Sequence, residues 1–218
     1  MTANLARTER QALADLFDKL GPDVPTLCEG WDTGDLLAHL LVRERRIDAS
    51  AGMFVKPLAG HLKSVTGQYR DRPWADQVAL LRSGPPPWNP MGWGKLDELT
   101  NGSEFFIHHE DARRGVDGWE PRLLDDDVVA ALTALVESSM MRMMVRRLPA
   151  GLTAQLPDGR SVVLKKPSGS DGTAASVVTV AGDPGEIVLW VAGRDACRVQ
   201  LNGDESAVAA VVAARGGL

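Results

Sequence analysis

One stretch in the middle of the chain decides the fold and the candidate site: Glu104-Phe105-Phe106-Ile107-His108-His109-Glu110-Asp111. Glu104 and His108 are four residues apart, so on a helix they lie on the same face, one turn from each other. A carboxylate and an imidazole at that spacing can bind one ion together, by the same logic as the two histidines of an HExxH helix. The stretch therefore predicts two metal ligands on one helix.

A third ligand must come from elsewhere in the chain, because catalytic zinc sites usually take three protein ligands and keep one position open. The sequence contains four histidines: His39, His61, His108 and His109. His39 is the natural choice, because leucines at positions 36, 37 and 40 place it on a helix with buried neighbours. His61 lies in a glycine-flanked segment without ligand spacing. The predicted metal ligands are therefore His39, Glu104 and His108.

Each ligand candidate also has an ordinary structural interpretation. His39, a single histidine among leucines, could be a hydrogen-bonded core residue. Glu104 and His108 could form no more than a solvated pair on one helix face. The three residues together favour a metal, because burying a charged glutamate beside imidazoles is unfavourable unless an ion or hydrogen bonds offset it.

Three further residues are candidates for orienting the ligand side chains through hydrogen bonds, without binding the metal themselves. Asp35 lies one turn before His39, and Asp111 lies three residues after His108. The alternatives are a helix-capping role for Asp35 and a surface position for Asp111. His109 points about a quarter turn away from His108, which indicates either an exposed side chain or one that supports the ligands.

Hydrophobic periodicity predicts helices through the first two thirds of the chain. The predicted segments are residues 4–20, 33 to about 52, 74–82, 95–114 and 125–148. The mixed charge runs at 43–46 and 95–98 are typical of solvated helix faces. The tryptophan-rich segment 88–94 predicts a long loop that covers a site.

The pattern changes after Pro149. An Asp158-Gly159 turn between residues 152–156 and 161–164 predicts a hairpin. The predicted remainder is a flexible loop at 167–172, a strand at 177–180, a helix at 183–192, a strand at 197–201 and a helix at 206–214. The sequence therefore predicts a helical domain over 1–149 and a small α+β domain over 150–218.

Composition excludes several classes of protein. A net charge of -5 offers no basic surface for phosphates, which argues against a nucleic-acid partner. No run approaches the roughly 18 apolar residues that a membrane helix needs, and no signal peptide is visible, so a cytoplasmic location is expected. The two cysteines, Cys28 and Cys197, form no CxxC motif, and a packed, unreactive Cys28 is favoured over a reactive thiol.

Two motifs and the tail resemble a known family. The opening motif is Cys28-Glu29-Gly30-Trp31-Asp32 followed by Asp35-Leu36-Leu37-Ala38-His39-Leu40. It resembles that of the mycothiol-dependent maleylpyruvate isomerase family, a branch of the DinB-like metal-binding four-helix bundles. The segment from Glu104 to His108 matches the family's second motif, and the segment from Asp183 to Trp190 with Gly193-Arg194 is similar to its small C-terminal domain. The resemblance covers nearly the whole chain.

The resemblance implies a mainly α N-terminal DinB-like four-helix bundle, of up-down-down-up type, followed by a small α+β domain. It implies a divalent ion, commonly zinc, on His39, Glu104 and His108; nickel and iron accept the same ligands. A position left open would accept water or the thiolate of mycothiol, which would attack an electrophilic substrate in a transfer or isomerisation reaction. DinB-like bundles often form dimers, so a homodimer is compatible with the resemblance.

The sequence departs from the isomerases in one respect. From Gly151 onward it contains no histidine, so a catalytic histidine expected there is missing. The run from His108 to Arg114 is instead similar to an actinobacterial subgroup of metal-binding relatives. A thiol-dependent metalloenzyme is thus one hypothesis, a non-catalytic metal-binding or metal-sensing protein a second, and a bundle whose histidines are only core residues a third.

Overall fold

The computed structural model describes residues 4–89, 93–167 and 176–216. The centre of the tryptophan-rich segment, 90–92, and most of the predicted loop at 167–172 lie outside the described residues. The chain forms two compact units, one over Asn4–Glu120 and the other within Pro121–Leu218. Helices dominate, with one small sheet, which confirms the predicted helical part and small α+β part. The domain boundary placed after residue 149 stays a prediction.

The first unit is helical. Its helices are α1 (Leu5–Leu20), α2 (Thr33–Arg45), α3 (Ile47–Ser50), α4 (Ala59–Arg70), α5 (Trp74–Arg82) and α6 (Gly94–Arg114). Asn4 caps α1 by accepting a hydrogen bond from the Arg7 amide, and Gly21, at φ 77°, ends it in a conformation that suits glycine. Asp32 and Asp35 form a capping box at the start of α2, as the capping interpretation of Asp35 expects.

Two stretches of this unit differ from the prediction. The second predicted helix ends at Arg45 rather than near residue 52, and α3 and short 3₁₀ turns at Ala51–Met53 and Lys56–Leu58 follow it. Helix α4 was not predicted, because Gly60, Gly67 and several polar residues obscure its period. Only Val65 and Tyr69, one turn apart, are buried on it.

The second unit contains a four-stranded sheet in the order β2-β1-β3-β4. Its strands are β1 (Gly151–Gln155), β2 (Ser161–Lys165), β3 (Val177–Ala181) and β4 (Gln200–Asn202), and its helices are α7 (Asp126–Val136), α8 (Ser139–Met144), α9 (Pro184–Val191) and α10 (Glu205–Ala214). Strands β1 and β2 form the predicted hairpin, while β1 and β3 pair in parallel. The predicted helix 125–148 is divided because Ser138 caps a new helix by accepting a hydrogen bond from Met141.

None of the described helices has the length and apolar character needed to cross a bilayer.

The core of the first unit is built from leucines, alanines and aromatic rings of α1, α2, α5 and α6, with Phe17, Leu37 and Phe105 almost wholly buried. Val65 and Tyr69 of α4 join the same core. This packing fixes α2 and α6, the two helices that carry the candidate ligands.

A buried ionic cluster lies within this core. Arg10 of α1 donates to Glu44 of α2 at 2.7 Å and to Asp97 of α6 at 2.8 Å, and its guanidinium lies 4.5 Å from the centre of the Phe105 ring. Arg10, Glu44 and Asp97 are 3%, 2% and 6% exposed. The prediction of solvated faces is therefore wrong for Glu44 and Asp97, because Arg10 supplies the counter-charge that allows both carboxylates to be buried.

This cluster predicts a pH-dependent stability. Burial raises the pKa of the Glu44 carboxyl to about 7, despite the opposing effect of Arg10, and its Oε2 is buried without a hydrogen-bond partner among the described residues. The folded chain then binds an extra proton between the ordinary pKa of 4.5 and about 7, so the free energy of unfolding falls as pH rises through that window. At about 1.4 kcal/mol per pKa unit, the loss is about 3 kcal/mol.

Glu44→Gln should remove this part of the pH dependence while keeping a side-chain oxygen for Arg10 to bond. We expect its unfolding free energy, measured by urea titration at pH 5 and pH 8, to change less between the two values than that of the wild type. If the unfolding free energies of the two proteins changed equally between pH 5 and pH 8, Glu44 would be ionised in the folded chain at both values.

Candidate metal centre

The three predicted ligands lie together in the structure. His39 on α2 and Glu104 and His108 on α6 present their donor atoms to one another. His39 Nε2 is 3.4 Å from Glu104 Oε1, and His108 Nε2 is 3.2 Å from the same oxygen. All three donor atoms lie within 4.8 Å of each other, and the two imidazole rings meet edge to face with their centroids 5.3 Å apart.

These distances fit a metal ion. In a tetrahedral zinc site with bonds of about 2.0–2.1 Å, neighbouring ligand atoms are separated by roughly 3.3 Å. The observed 3.4 and 3.2 Å separations around Glu104 Oε1 therefore need little adjustment to surround an ion. Two nitrogens and one oxygen also suit zinc, nickel or iron. The residues present fit a divalent cation.

The second ring nitrogen of His108 has its own partner. Nδ1 lies 2.9 Å from Oδ2 of Asp111, whose side chain is fully buried. If Nδ1 carries the proton and donates it to this carboxylate, Nε2 keeps a lone pair that faces His39 and Glu104. Asp111 thus fixes the ring orientation and tautomer that a metal ligand requires. The predicted surface alternative for Asp111 is wrong, because it is buried beneath His108.

The charges of the site are set by burial and hydrogen bonds. Burial raises the pKa of the Glu104 carboxyl, but hydrogen bonds with both imidazoles outweigh it and hold the pKa well below its usual range. Burial lowers the pKa of His39 below its ordinary value, although its hydrogen bond to Glu104 opposes the change. The carboxylate is anionic and the His39 imidazole neutral, which are the forms that bind metal ions.

His108 behaves differently. Burial lowers its pKa, but hydrogen bonds with Asp111, the Cys28 thiol and Glu104 together raise the pKa well above the ordinary value. Acceptors therefore flank both of its ring nitrogens, at Asp111 and at Glu104. A proton at Nε2 or a metal ion at the same place would each satisfy this arrangement.

The sequence interpretation missed the position of Cys28. Its Sγ lies 3.3 Å from Asp111 Oδ2 and 3.9 Å from His108 Nδ1. Cys28, His108 and Asp111 form a second group of donor atoms within 4.8 Å of one another, so the thiol borders the candidate centre from the side of Nδ1. The opening motif contains this residue, but no spacing in the sequence indicates that it meets a histidine 80 positions away.

Arg43 is a second residue that the sequence interpretation missed. It lies one turn after His39 on α2, and its Nη1 is 3.3 Å from Glu104 Oε1. Its Nη2 is 3.4 Å from Asn101 Oδ1 on α6. This cation therefore lies against the Glu104 carboxylate and helps to keep it ionised.

Two of the predicted supporting residues have other partners. Asp35 belongs to the capping box with Asp32, and Arg70 Nε lies 3.4 Å from its Oδ1. His109 is 5% exposed, and its Nδ1 lies 2.7 Å from Oε2 of the buried Glu9 on α1. The contacts of Asp35 with Arg70 and of His109 with Glu9 thus link helices, whereas Asp111 contacts a candidate ligand directly.

A cavity of ≈ 320 Å³ opens beside His39. Its lining residues are Gly30, Trp31, Asp35, His39, Met53, Leu62 and Thr66. The Trp31 indole lies against the His39 imidazole with ring centroids 5.2 Å apart. A small molecule in this cavity would touch a candidate metal ligand.

The fold resembles that of known enzymes. No family model and no curated protein matches the chain. Two solved structures are similar to it: a mutant of the mycothiol-dependent maleylpyruvate isomerase, with 17% identity and a TM-score of 0.56, and the same isomerase unmutated, with 18% identity and a TM-score of 0.52. The alignments cover 91% of this chain and 90% and 89% of those chains. The predicted resemblance to the mycothiol-dependent maleylpyruvate isomerases is therefore confirmed for the fold.

Proposed function

We propose that this chain is a divalent-metal-binding protein whose ion is held by His39, Glu104 and His108, with zinc as the metal. The observation that supports this most directly is that three donor atoms lie within 4.8 Å of one another, with both separations from Glu104 Oε1 close to those of a tetrahedral site. The hydrogen bond between His108 and the buried Asp111 adds the supporting contact that such ligands usually have.

We propose further that the protein is a transferase or isomerase that uses a thiol cofactor, with mycothiol as the candidate. When bound, a zinc ion with an open position would lower the pKa of a thiol and stabilise its thiolate. The residues of the chain would do the rest: Asp111 orients His108, Arg43 keeps Glu104 ionised, and the cavity beside His39 receives a small molecule. The fold shared with an isomerase that depends on mycothiol supports this assignment.

Other parts of the proposal follow from the sequence pattern, the composition and the family resemblance. They are a DinB-like four-helix bundle of up-down-down-up type, a domain boundary after residue 149, a cytoplasmic location and a homodimer. The partners proposed are a small-molecule thiol and an electrophilic substrate, with neither nucleic acid nor membrane.

The enzymatic proposal is tested by incubating the zinc-loaded protein with mycothiol and monochlorobimane, and separately with mycothiol and maleylpyruvate. We expect metal-dependent conjugation or isomerisation that a chelator removes and added zinc restores. Zinc-loaded protein that catalyses neither reaction would contradict the enzymatic assignment. The metal site would then be tested separately, by the number of zinc ions bound per chain.

A second candidate function is a non-catalytic metal-binding or metal-sensing protein. The absence of any histidine after Gly151 favours it, because the catalytic histidine that the isomerase resemblance implies has no counterpart there. This alternative expects a closed, four-coordinate site with no response to mycothiol. X-ray absorption spectra of the zinc form with and without mycothiol separate the two, since only an open site gains a sulfur ligand when mycothiol is added.

Asp111→Ala is expected to weaken zinc binding about 10- to 100-fold, because removing a carboxylate that orients a ligand imidazole has effects of that size. Competition with a chromophoric chelator measures the affinity, and circular dichroism checks the fold. Asp35→Asn is the matched control: it alters a carboxylate on α2 that contacts Asp32 and Arg70, and should leave the affinity unchanged. Equal affinities in both variants would contradict the orienting role of Asp111.

A further inference from the structure

The loop before α2 holds Cys28 against α6. The Leu27 amide donates a hydrogen bond to the Asp111 carbonyl at 3.0 Å, which ties the residue next to Cys28 to the helix. At Gly115, directly after α6, a Cβ would collide with the Pro25 carbonyl, so the loop and the end of the helix pass too closely for a larger residue. The backbone that carries the Cys28 thiol is therefore held in place by contacts with α6.

The thiol lies close to two other donor atoms. Cys28 Sγ is 3.3 Å from Asp111 Oδ2 and 3.9 Å from His108 Nδ1, and the latter two atoms are 2.9 Å apart. The point equidistant from the three atoms lies about 2.0 Å from each, whereas zinc bonds measure about 2.3 Å to sulfur and about 2.0–2.2 Å to nitrogen or oxygen. An ion slightly outside the plane of the three atoms therefore reaches bonding distance with little movement of the side chains.

This donor set differs in chemistry from the proposed zinc centre. It combines a sulfur, an imidazole nitrogen and a carboxylate oxygen, whereas His39, Glu104 and His108 offer two nitrogens and one oxygen. Thiolates favour soft, thiophilic ions, whereas imidazoles and carboxylates suit borderline and hard ones. The set of Cys28, His108 and Asp111 is thus the better match for a divalent ion softer than zinc.

Both donor sets use His108, through opposite ring nitrogens. A neutral imidazole carries its proton on one nitrogen and has a metal-binding lone pair only on the other. An ion at Nε2 leaves the proton on Nδ1, which lies 2.9 Å from Asp111 Oδ2, and an ion at Nδ1 leaves it on Nε2, which lies 3.2 Å from Glu104 Oε1. Either proton position has an acceptor, so a neutral His108 serves one set or the other, one ion at a time.

We propose that Cys28 Sγ, Asp111 Oδ2 and His108 Nδ1 form a second cation site, which binds thiophilic divalent ions such as Cd²⁺ in competition with zinc at His108 Nε2. The competition rests on the proposed function, whereas the site itself depends only on its own three donor atoms. On binding, Cys28 releases its thiol proton to solvent and bonds to the ion through Sγ. Asp111 then becomes a ligand and no longer orients His108 for zinc, so a thiophilic ion displaces zinc.

Cadmium titration of the full-length, metal-free chain tests the site, because a bond between Cd²⁺ and a thiolate adds a charge-transfer band in the ultraviolet. We expect the band to saturate at a single equivalent in the wild type and to be lost in Cys28→Ser. Cys197→Ser is the matched control, since Cys197 is the other cysteine of the chain and its Sγ lies 3.3 Å from the Arg194 carbonyl. A wild type without the band, or a band that survives in Cys28→Ser, would overturn the site.

Zinc displacement tests the competition. After one equivalent of Cd²⁺ is added to the zinc-loaded wild type and the protein is dialysed, elemental analysis should find that cadmium has replaced most of the zinc. Cys28→Ser should keep most of its zinc under the same conditions. Wild-type protein that retains one equivalent of each metal would overturn the competition for His108.

The second site and the proposed zinc centre can fail separately. His39→Ala removes a ligand of the zinc centre alone and should keep the cadmium–thiolate band. A wild type that binds no zinc, but shows a band that Cys28→Ser loses, would contradict the proposed function and support the second site. Stoichiometric zinc that needs His39, together with no cadmium–thiolate band, would support the zinc centre and overturn the second site.

Discussion

His108→Ala is expected to abolish stoichiometric zinc binding. The substitution removes the donor nitrogen that lies 3.2 Å from Glu104 Oε1 and leaves Glu104 and His39 as a pair. Two ligands seldom hold zinc when protein sites use at least three. We expect less than about one tenth of an equivalent of zinc after dialysis, measured by elemental analysis of protein purified without an affinity tag. The wild type should retain close to one equivalent.

Thermal unfolding gives an independent measure of the same loss. A ligand that binds only the folded chain stabilises it by about 4 kcal/mol when its free concentration is about 1,000 times Kd. Zinc should therefore raise the Tm of the wild type by several degrees and leave that of His108→Ala unchanged. His61→Ala is the control, because His61 is a partly exposed histidine paired with Asp48 on the surface. Equal zinc content in all three proteins would contradict the metal centre.

The sequence was sufficient to predict which residues would meet at the candidate centre. Glu104 and His108 share a helix face because of their spacing, which depends only on helix geometry. His39 could be added because it lies in an apolar helical pattern, and helices of this kind pack on a common core. Whether these atoms bind a metal stays a prediction, since their convergence alone is compatible with a hydrogen-bonded carboxylate.

The contacts around the ligands could not be predicted. Cys28 lies in a loop, and its approach to Asp111 depends on how that loop packs against α6. Arg43 belongs to a run of mixed charges that is typical of solvent-exposed faces, yet it contacts Glu104. Such contacts join residues far apart in sequence, and no local period encodes them.

The fold was predictable where the apolar period is strong and was missed where it is weak. Helices α1, α5 and α6 begin and end within about one or two residues of the prediction, which is the ordinary uncertainty of helix ends. Helix α4 was missed because a single pair of buried residues, Val65 and Tyr69, anchors it. The tertiary contacts of α4 with α2 stabilise a segment whose own propensity for helix is modest.

Arg10→Ala should be the most destabilising single change in the ionic cluster. It removes the partner of both Glu44 and Asp97 and leaves two carboxylates in the core without their counter-charge. Breaking a buried ion pair by removing one member typically lowers the free energy of unfolding by about 3–5 kcal/mol. The loss of the contact with the Phe105 ring acts in the same direction. Urea-induced unfolding measures the change.

Arg82→Ala is a closely matched control. Arg82 also bridges two carboxylates, Asp15 at 2.6 Å and Asp18 at 2.8 Å, but these side chains are 64% and 50% exposed. Water and salt screen such pairs, so the free energy of unfolding should stay within about 1 kcal/mol of the wild type. Equal losses in the two variants would show that burial does not determine the contribution of the cluster.

The pH dependence of Arg10→Ala distinguishes charge from packing. Arg10 lowers the pKa of Glu44, which burial raises to about 7, so its removal should raise that pKa further. At pH 5 Glu44 is then buried in the folded chain as a neutral acid. At pH 8 the folded chain must either bury the ionised carboxylate without a partner or bind a proton from a solution that contains few, and both lower the free energy of unfolding. The destabilisation by Arg10→Ala should therefore be larger at pH 8 than at pH 5. A destabilisation that is the same at both values would assign the role of Arg10 to packing, because the loss of side-chain contacts does not depend on pH.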